Sequence, residues 1–532
     1  MNDSFRLHIV YYTDLHGRII SEQNEGKSPI CGIDRLKGYL DRLRRNNERV
    51  LLIDNGDSIQ GSHLVDCFDC QIPELETLQH PITIAHRELG VDCFVVGNHE
   101  FTHGKRRLDQ LYRESNLSWL AANIVKAKDR KPYFRSYRLF AFGEYVVGVL
   151  GLTTERIPFW QEGRSLDGIT FLDAFESART LIPEIKRQCD FLVVAYHGGI
   201  ERDPQTKEPI RGTNRAENQG VKLWDNLPEI DLLLLGHQHK SMLLDSPKRE
   251  KAPLLMAGAK GRLWGHIILT DATKGDEVGS KLRIDRCMLV DGSKERPDRA
   301  FAGFFAEHCR IVERYLEEFV GTAGDEFAIH DPMREVWLKR HPFIQWVQEV
   351  ICRHANVDIS ATSLPEAEMS GLPRNVRRRD ILENFRYANT VCVLGITGKI
   401  LRQALERAAS FFVLETAENG EKRPGIHPDW SRFKIRCNDY DMWHGIEYEF
   451  DLRRQIGSRL SRLKQGGREI PDGKRLRVAV TAYRAEGTFY DMFSQKQIEI
   501  GFSTKITDLL IADLRKKQHL AVKRKQNFKI VY

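Results

Sequence analysis

Five short polar segments in the first half of the chain carry side chains suited to metal chemistry. They read Asp14-Leu15-His16, Asp54-Asn55-Gly56-Asp57, Gly97-Asn98-His99-Glu100, Tyr196-His197-Gly198-Gly199 and Gly236-His237-Gln238-His239. Imidazole and carboxylate ligands together favour Zn, Mn, Fe or Co, and no cysteine occurs in these segments. Burying so many ionisable groups without a cation would be costly. The pattern therefore predicts a metal centre, although each segment alone also has an ordinary interpretation as a cap, turn or loop.

The number of candidate ligands is too large for one ion. The oxygen and nitrogen donors are Asp14, His16, Asp57, Asn98, His99, His197, His237 and His239. Two ions about 3.5–4 Å apart use such a set and clamp both oxygens of an in-line phosphoryl displacement. Asp57 is able to bridge the ions because a carboxylate has two oxygens.

Each of these segments follows an apolar run that is typical of a buried strand. Between several of the strands lie helical patterns such as "IDRLKGYLDRLRR" and "KRRLDQLYRES". In open α/β sheets ligands gather beyond the carboxyl ends of the strands, which explains why the polar residues stand there. We predict an α/β domain with two sheets flanked by helices, and hairpins in "YRLFAFGEYVVGVLGL" and "PLLMAGAKGRLWGHIILTD".

The whole chain has 532 residues, which exceeds what one compact core normally supports. We predict a metal domain over residues 1–300, a helical linker over 301–340 and an α+β domain over 341–532, with a boundary near 335–340. The net charge of +7 is mild for this length and suits a small anionic substrate rather than a nucleic acid polymer. A monomer or weak oligomer is expected.

The N-terminus and the cysteines bear on the compartment. The start "MNDSFRLHIVYYTDLHG" has no basic region followed by a long apolar core, so no signal peptide is predicted. No run approaches the roughly 18 apolar residues of a membrane span, so no membrane partner is expected. Ten scattered cysteines favour free thiols in a reducing cytosol. A cytoplasmic protein is the expectation, and a trimmed mature form of an exported protein is the alternative.

The five segments, in this order, resemble the calcineurin-like metallophosphoesterase superfamily. The resemblance implies a two-sheet αββα sandwich and two divalent ions, Mn²⁺ or Zn²⁺ first, with Fe or Co as alternatives. It also implies that His99 is not a ligand but the catalytic imidazole, which stabilises the phosphoryl group or protonates the leaving oxygen. Glu100 is expected to support the turn. The implied ligands of the first ion are Asp14, His16, Asp57 and His239, and those of the second are Asp57, Asn98, His197 and His237.

Thr102 departs from the resembling family at a position close to the expected catalyst. Relatives of the 5′-nucleotidase type commonly have an Asp there, which pairs with the catalytic imidazole and favours its charged form. Thr offers a hydrogen bond but no charge. His99 is therefore expected to lose its proton at a lower pH than in an Asp-paired enzyme, and Thr102→Asp is expected to move the activity profile to higher pH.

The second half of the chain narrows the substrate. "NFRYANTVCVLGITGKILRQALERAASFF" resembles the entry segment of the 5′-nucleotidase C-terminal domain. "NDYDMWHGIEYEFDL" and "VAVTAYRAEGTFYDMF" resemble base-binding loops of the 2′,3′-cyclic-nucleotide 2′-phosphodiesterase/3′-nucleotidase branch. In that branch two tyrosines sandwich the base, and the matching positions are Tyr440 and Tyr483. Stacking on each is worth about 1–3 kcal/mol; a half-buried core aromatic is the alternative for either one.

Two further features of this half leave alternatives open. Glu486 stands where the branch usually has a glycine run, and this leaves the base preference open. The basic run "RNVRRRD" could hold a phosphate, with Arg378 as the candidate, or could form a solvated basic face. Asp380 is expected to cap a helix or to pair with an arginine.

The resemblance as a whole implies a nucleotide hydrolase. Two ions activate a bridging water, whose hydroxide attacks phosphorus and opens a 2′,3′-cyclic nucleotide to a 3′-nucleotide. A second round then releases nucleoside and phosphate, and the linker near 335–340 is expected to be a mobile hinge. The alternatives are a 5′-nucleotidase or UDP-sugar hydrolase and a nucleotide-sensing protein without turnover. A nuclease is disfavoured because polymer binding usually needs a strong basic stripe.

Overall fold

A computed structural model gives the fold of the chain. It describes residues 5–22, 31–160, 166–210, 217–245, 251–272, 281–365, 367, 369–385, 389–417, 419–431, 437–485, 487, 489–521 and 526–532. The chain divides into two compact units, Met1–Val312 and Glu313–Tyr532. This division falls inside the predicted linker 301–340 but before the position near 335–340. No helix among the described residues has the length and apolar character needed to cross a bilayer.

The first unit contains two large sheets and the helices that cover them. Its described strands are β1 Arg6–Tyr12, β2 Arg49–Asp54, β3 Cys93–Val95, β4 Ser118–Leu120, β5 Ile124–Lys126, β6 Tyr137–Phe142, β7 Tyr145–Thr153, β8 Ile169–Phe171, β9 Phe191–His197, β10 Leu232–Leu235, β11 Ser241–Leu244, β12 Leu254–Ala257, β13 Leu263–Asp271 and β14 Leu282–Asp291. Its helices are α1 Asp34–Arg45, α2 His63–Asp66, α3 Pro73–Glu76, α4 Pro81–Leu89, α5 Gly104–Glu114, α6 Ile157–Trp160, α7 Ala174–Lys186, α8 Gly220–Asn226 and α9 Arg299–Gly303, and α10 Ala306–Leu316 runs across the division.

The two sheets each have six strands, in the orders β14-β13-β1-β2-β3-β4 and β11-β12-β10-β9-β7-β6. One buried cluster includes Ile9 of β1 and Val193 of β9, so the sheets face each other across a shared apolar core. Strands β1 to β4 run parallel, as do β7, β9, β10 and β12. Their carboxyl ends therefore lie along common edges, and the predicted two-sheet architecture is confirmed.

One predicted hairpin is wrong. The segment "PLLMAGAKGRLWGHIILTD" forms β12 and β13, but these strands belong to different sheets. β12 pairs with β10 and β11, whereas β13 pairs with β1 and β14. The glycines between them mark a crossing from one sheet to the other, and a local pattern cannot distinguish this from a turn. The β6–β7 hairpin is confirmed.

The second unit is a mixture of small sheets and helices. Its described strands are β15 Phe319–Ala323, β16 Ile359–Thr362, β17 Asn375–Arg377, β18 Thr390–Thr397, β19 Phe412–Thr416, β20 Lys422–Ile426, β21 Met442–His444, β22 Glu447–Asp451, β23 Leu460–Gln465, β24 Arg468–Glu469, β25 Arg475–Thr481, β26 Ile498–Lys505, β27 His519–Leu520 and β28 Phe528–Val531. Its helices are α11 Pro342–Ala355, α12 Arg378–Glu383, α13 Gly398–Ala409, α14 Pro428–Ser431, α15 Ala482–Ala485 and α16 Ile506–Lys517. The central sheet has the order β21-β16-β25-β18-β26.

Residues 335–340 pack into this second unit, although they were assigned to the linker from sequence. Val336 and Trp337 are buried in its apolar core. Arg340 is also buried, and its Nη1 donates a hydrogen bond of 2.5 Å to Asn527 Oδ1. The first part of the predicted helical linker forms two helices, α9 and α10, and β15 begins at Phe319.

Candidate metal centre

Backbone hydrogen bonds bring the polar strand ends of the first unit together. The amide of Asp14 donates to the carbonyl of Gly56 at 2.9 Å, which joins the loops after β1 and β2. The amide of His99 donates to Asp57 Oδ1 at 2.7 Å, which adds the loop after β3. The amide of His237 donates to Asp14 Oδ2 at 2.9 Å, which adds the loop after β10 from the second sheet.

The side chains at these ends form three overlapping groups, each with potential ligand atoms within 4.8 Å of one another. The groups are Asp14, His16 and His239; His16, Asp57 and His99; and Asp57, His197 and His237. Asn98 joins the third group, since its Oδ1 lies 2.8 Å from His237 Nδ1. All eight side chains singled out from the sequence thus meet at one place, and Asp57 lies at the junction of two groups.

Three buried ligand atoms of this cluster make no hydrogen bond of good geometry, although each faces another ligand atom at 3.1 or 3.4 Å. They are Asp14 Oδ1, Asp57 Oδ2 and His197 Nε2. A buried polar atom left unsatisfied costs about 1–3 kcal/mol, so such atoms rarely occur together without a reason. Divalent cations would satisfy all three, and carboxylate and imidazole donors fit Zn²⁺ or Mn²⁺. The residues present therefore fit a binuclear metal centre.

The backbone supports the same conclusion. Five of the cluster residues have left-handed backbone conformations, which non-glycine residues adopt at a cost of about 1–3 kcal/mol in strained sites. The φ angles are 52° at Asp14, 49° at His16, 57° at Asp57, 69° at His237 and 56° at His239. Concentration of such residues in one site is characteristic of functional loops whose side chains must converge on a ligand.

Hydrogen bonds also determine which imidazole nitrogen faces the centre. Nδ1 of His16 donates to the Gln60 carbonyl at 3.1 Å, and Nδ1 of His197 donates to the Asn55 carbonyl at 2.6 Å. Both rings therefore direct Nε2 to the cluster. Supporting contacts of this kind fix the tautomer and orientation of metal-binding histidines.

The His237 ring has the opposite orientation, with Nδ1 towards the cluster, and it is held by Glu217, which was not predicted from the sequence. Its Nε2 lies 3.0 Å from Glu217 Oε1, which leaves Nδ1 on the side of Asn98. Burial acts to raise the pKa of Glu217, but the hydrogen bond from His237 lowers it below its ordinary value. Glu217 follows no apolar strand, so the strand-end pattern gives no signal for it.

The charges inside the cluster are balanced by proximity. Burial acts to lower the pKa of His197, but the Asp57 carboxylate, 3.1 Å away, raises it to about 10. Burial acts to raise the pKa of Asp57, while His197 and His99 hold it well below the usual range. Burial lowers the pKa of His16 to about 3, and the neighbouring imidazoles act in the same direction. A cation at Asp57 would replace the proton on His197 Nε2, as metal binding generally does.

Glu100 organises the Asp57 loop, which confirms its predicted supporting role. The buried carboxylate accepts hydrogen bonds from the amides of Asp57 at 2.9 Å, Ser58 at 2.8 Å and Gly97 at 2.7 Å. Burial, with the nearby charge of Asp57, raises the pKa of Glu100 to about 8. Gly97 is required here, because a Cβ would lie 2.4 Å from Asp57 Oδ1.

His99 and Thr102 contact each other as expected. Thr102 Oγ1 lies 3.2 Å from His99 Nδ1, and no carboxylate occupies that position. Burial lowers the pKa of His99, although the Asp57 carboxylate acts in the opposite direction. This lowering comes from burial, so the expectation drawn from Thr102 stays a prediction.

Tyr440, predicted to stack on the base, is a core residue in the structure. Its side chain is 0% exposed, and its ring stacks on Phe411 with centroids 4.7 Å apart. Its hydroxyl donates to the Trp337 carbonyl at 3.4 Å. The assignment of Tyr440 as a base-stacking platform is corrected, because its ring already packs against aromatic neighbours. Tyr483 is half-buried and stays a candidate.

Arg378, predicted to bind a phosphate, is also assigned differently by the structure. It is buried, its guanidinium pairs with Glu318, and it lies 4.0 Å from the centroid of the Tyr315 ring. The carboxylate partner neutralises the charge that was expected for an anion. Asp380 caps α12 as predicted, since its Oδ2 accepts from the amide of Arg377 at 2.6 Å. Glu486 lies outside the described residues.

Comparisons with known proteins agree with this division of the chain. The calcineurin-like phosphoesterase family profile matches residues 7–241, and the profile of the 5′-nucleotidase C-terminal domain matches residues 320–495. A 2′,3′-cyclic-nucleotide 2′-phosphodiesterase/3′-nucleotidase of Haemophilus influenzae is 22% identical over 559 residues, covering 92% of this chain and 82% of the relative. A 5′-nucleotidase of Bos taurus is 26% identical over 295 residues, covering 52% of this chain and 48% of the relative.

Solved structures give the same result over the whole length. A candidate 5′-nucleotidase from Staphylococcus aureus, solved in complex with α-ketoglutarate, is 25% identical with a TM-score of 0.85, covering 99% of this chain and 100% of that chain. A 5′-nucleotidase precursor from Thermus thermophilus, at 18% identity and a TM-score of 0.66, covers 99% of both chains and shows the shared fold. The chain combines a calcineurin-like phosphoesterase domain with a 5′-nucleotidase C-terminal domain.

Proposed function

We propose that the protein is a metal-dependent phosphohydrolase that acts on nucleotides. It would hydrolyse 2′,3′-cyclic nucleotides to 3′-nucleotides and then to nucleoside and phosphate. The carrying observation is the cluster around Asp57, where the ligand atoms of buried carboxylates and imidazoles converge on strained loops. The comparisons support the substrate class, because the relatives named above act on nucleotides.

The proposed roles of the chain's residues follow from their placement. When bound, two divalent ions supply electrostatic stabilisation of the transferring phosphoryl group and lower the pKa of water. The first ion would be held by Asp14, His16, Asp57 and His239, and the second by Asp57, Asn98, His197 and His237. Glu100 and Glu217 would hold the ligands in place through the Asp57 loop and the His237 ring.

His99 is proposed to act on the substrate rather than on a metal. Thr102 Oγ1 lies within hydrogen-bond distance of His99 Nδ1. Nε2 is therefore the nitrogen that would hold a proton or deliver it to the leaving ribose oxygen. The partly buried position of His99 leaves it access to the cluster while its backbone amide is fixed by Asp57. A general acid needs such a fixed orientation as well as a suitable pKa.

Several finer properties belong to the same proposal. Mn²⁺ or Zn²⁺ is proposed for both positions, with Fe or Co as alternatives, because imidazole and carboxylate ligands suit these ions. Tyr483 is proposed to stack on the base, since its half-buried ring lies in a motif loop. The cytoplasm is the proposed compartment, because ten cysteines scattered along the chain suit reducing conditions.

A 5′-nucleotidase or UDP-sugar hydrolase is the second candidate. The similarity of 52% of this chain to the Bos taurus 5′-nucleotidase favours it, because the metal cluster does not distinguish the two activities. The loop "NDYDMWHGIEYEFDL" favours the cyclic-nucleotide branch. Only the position of the scissile ester on the ribose separates the two reactions.

The test is phosphate release by the purified chain in Mn²⁺ or Zn²⁺. The panel is 2′,3′-cyclic AMP, 3′-AMP, 5′-AMP, a UDP-sugar and single-stranded DNA. Turnover of the first two above the rest is the expected result. A strong preference for 5′-AMP or the UDP-sugar would select the second candidate, and an inactive protein that binds nucleotide would select the sensing alternative.

A further inference from the structure

Arg484 links two segments of the second unit, residues 438–452 and 478–493, by a buried ion pair. These segments are the two motif loops. Arg484 belongs to the segment 478–493, and it is 2% exposed. Its Nε lies 2.8 Å from Asp441 Oδ2 and its Nη1 lies 3.7 Å from Asp439 Oδ1. Its Nη2 donates to the Asn438 carbonyl at 2.8 Å. All three partners belong to the other motif loop, which precedes β21.

The sheet topology explains why these loops meet. β16 is flanked by β21 and β25 and is antiparallel to the first and parallel to the second. The start of β21, at Met442, therefore lies at the same edge as the end of β25, at Thr481. Asp441 precedes β21 and Arg484 follows β25, so the ion pair closes across the end of β16.

Arg484 also lies against two tyrosine rings, those of Tyr490 and Tyr483, and Tyr483 is the proposed base-stacking residue. The guanidinium lies 4.2 Å from the Tyr490 ring centroid and 5.6 Å from that of Tyr483. Tyr490 in turn accepts a hydrogen bond of 3.3 Å on its hydroxyl from the amide of Asp441. Tyr483 is the residue immediately before Arg484 and is half-buried, so fixing the guanidinium also fixes the segment that presents the Tyr483 ring.

Stability alone is a poor explanation for this arrangement. One guanidinium and two carboxylates are removed from water, and 3% and 1% of Asp441 and Asp439 are exposed. Replacing a buried ion pair with apolar residues is often neutral or stabilising. A planar guanidinium held between the Asp441 carboxylate and the Asn438 carbonyl does, however, define geometry more narrowly than apolar contacts, because its donor directions are fixed.

We propose that Arg484 is a positioning residue for nucleoside recognition, which locks the Asp439–Asp441 loop to the loop that carries Tyr483. The inference rests on the proposed function, since it assigns a role in recognising the base of that substrate. Arg484 acts through Tyr483 and does not touch the reacting atoms.

The test compares a phosphate ester that has a base with one that lacks it. Arg484→Lys keeps the charge but loses the planar fork. We expect KM for 3′-AMP to rise about tenfold, within the range of one lost stacking contact. The value of kcat for 3′-AMP and both constants for glycerol 2-phosphate are expected to stay within about twofold of wild type.

Arg459→Lys is the matched control. Arg459 is another buried arginine of the second unit, and its Nη1 donates to the Ala409 and Phe412 carbonyls at 2.9 and 2.6 Å. The hydrogen bonds of its side chain go to the carbonyls of Ala409, Phe412 and Arg454, which lie outside the segments 438–452 and 478–493. We expect this change to lower thermal stability without raising the ratio of the 3′-AMP KM to the glycerol 2-phosphate KM.

A triple variant separates positioning from folding. Arg484→Met with Asp439→Asn and Asp441→Asn removes the guanidinium and both carboxylates, so it leaves no buried carboxylate at 439 or 441 without its arginine. We expect it to fold with thermal stability near that of wild type and still to show the raised KM for 3′-AMP. Normal nucleotide KM in this variant, or an equal change for both substrates in Arg484→Lys, would overturn the proposal.

Calorimetry with adenosine distinguishes failure of this inference from failure of the proposed function. If wild type releases no phosphate from any nucleotide, the proposed function fails, but adenosine binding still reports on the loops. About tenfold weaker binding by Arg484→Lys supports the positioning role. Equal affinity in the two proteins, or no adenosine binding by wild type, contradicts it.

Discussion

Residue placement was predicted correctly for the metal cluster of the first unit, but only in part for the motif loops and the arginine run of the second unit. In the first unit all eight predicted side chains meet around Asp57. In the second, Tyr440 lies in the core and Arg378 is paired with Glu318, while Tyr483 is left as a candidate. A cluster of ionisable residues has few structural alternatives, because burying them without a ligand is costly. An aromatic residue can instead pack in a core, and an arginine can instead pair with a carboxylate, and neither role requires a ligand.

His99 provides the strongest test of the first region. His99→Ala is expected to retain both metal ions and to lower kcat by about 10²–10⁴-fold, the usual contribution of a positioned general acid. Metal content is measured by elemental analysis and kcat by phosphate release. Asp57→Asn is the matched ligand variant and is expected to lose metal as well as activity. Loss of metal from His99→Ala would show that His99 is a ligand.

The two tyrosines test the second region directly. Tyr440→Ala is expected to destabilise the fold by about 3–5 kcal/mol, as large aromatic truncations in cores do. Tyr483→Ala is expected to leave stability nearly unchanged and to raise KM for 3′-AMP about tenfold, because a stacking face is lost. Denaturant unfolding and steady-state kinetics separate the two effects. A stable Tyr440→Ala with weakened nucleotide binding would restore the original assignment of Tyr440.

Thr102 offers a smaller effect inside the metal site. Thr102→Val removes Oγ1 at nearly constant volume, so the hydrogen bond to His99 Nδ1 is lost. We expect kcat to fall about two- to tenfold, as one hydrogen bond of about 0.5–1.5 kcal/mol predicts. Thr102→Ser keeps the hydroxyl and is the control with near-normal kcat. Equal losses in both variants would show that packing, not the hydroxyl, is what matters.

The smallest expected effect lies just outside the cluster, at His103. Burial acts to lower its pKa, but Asp66 and Asp69 raise it to about 9. Because the folded pKa lies above the ordinary value, this stabilisation is complete below about pH 6.5 and is lost as pH rises through about 9. His103→Gln should therefore lower the melting temperature at about pH 6 by more than at about pH 10. An equal decrease at both values would show that the imidazolium does not contribute.

Some parts of the site can be predicted from the sequence, and others cannot. The ends of β1, β2, β3, β9 and β10 are predictable because each apolar run stops at ionisable or polar residues, which are costly to bury in a core. Glu217 is not readable, since its link to His237 depends on a loop that no periodic pattern marks.

The arginine run at 377–379 looks like an anion site because its partners stand far away in sequence. Arg377 and Arg379 both pair with Glu317, and Arg378 pairs with Glu318. Both glutamates directly follow α10, and the separation between Arg378 and Glu318 is 60 residues. Only the folded chain brings the two charge runs together, as it also places β12 and β13 in different sheets.

The left-handed backbone at five cluster residues has a thermodynamic consequence. Strain at Asp14, His16, Asp57, His237 and His239 persists only while the surrounding contacts hold it, and the unfolded chain does not share it. Ions that bind the folded state alone stabilise it in proportion to the logarithm of their free concentration. The melting temperature of this protein should therefore rise with the free concentration of divalent cations and fall when a chelator is added. Its thermal stability would then report how much metal is available to it.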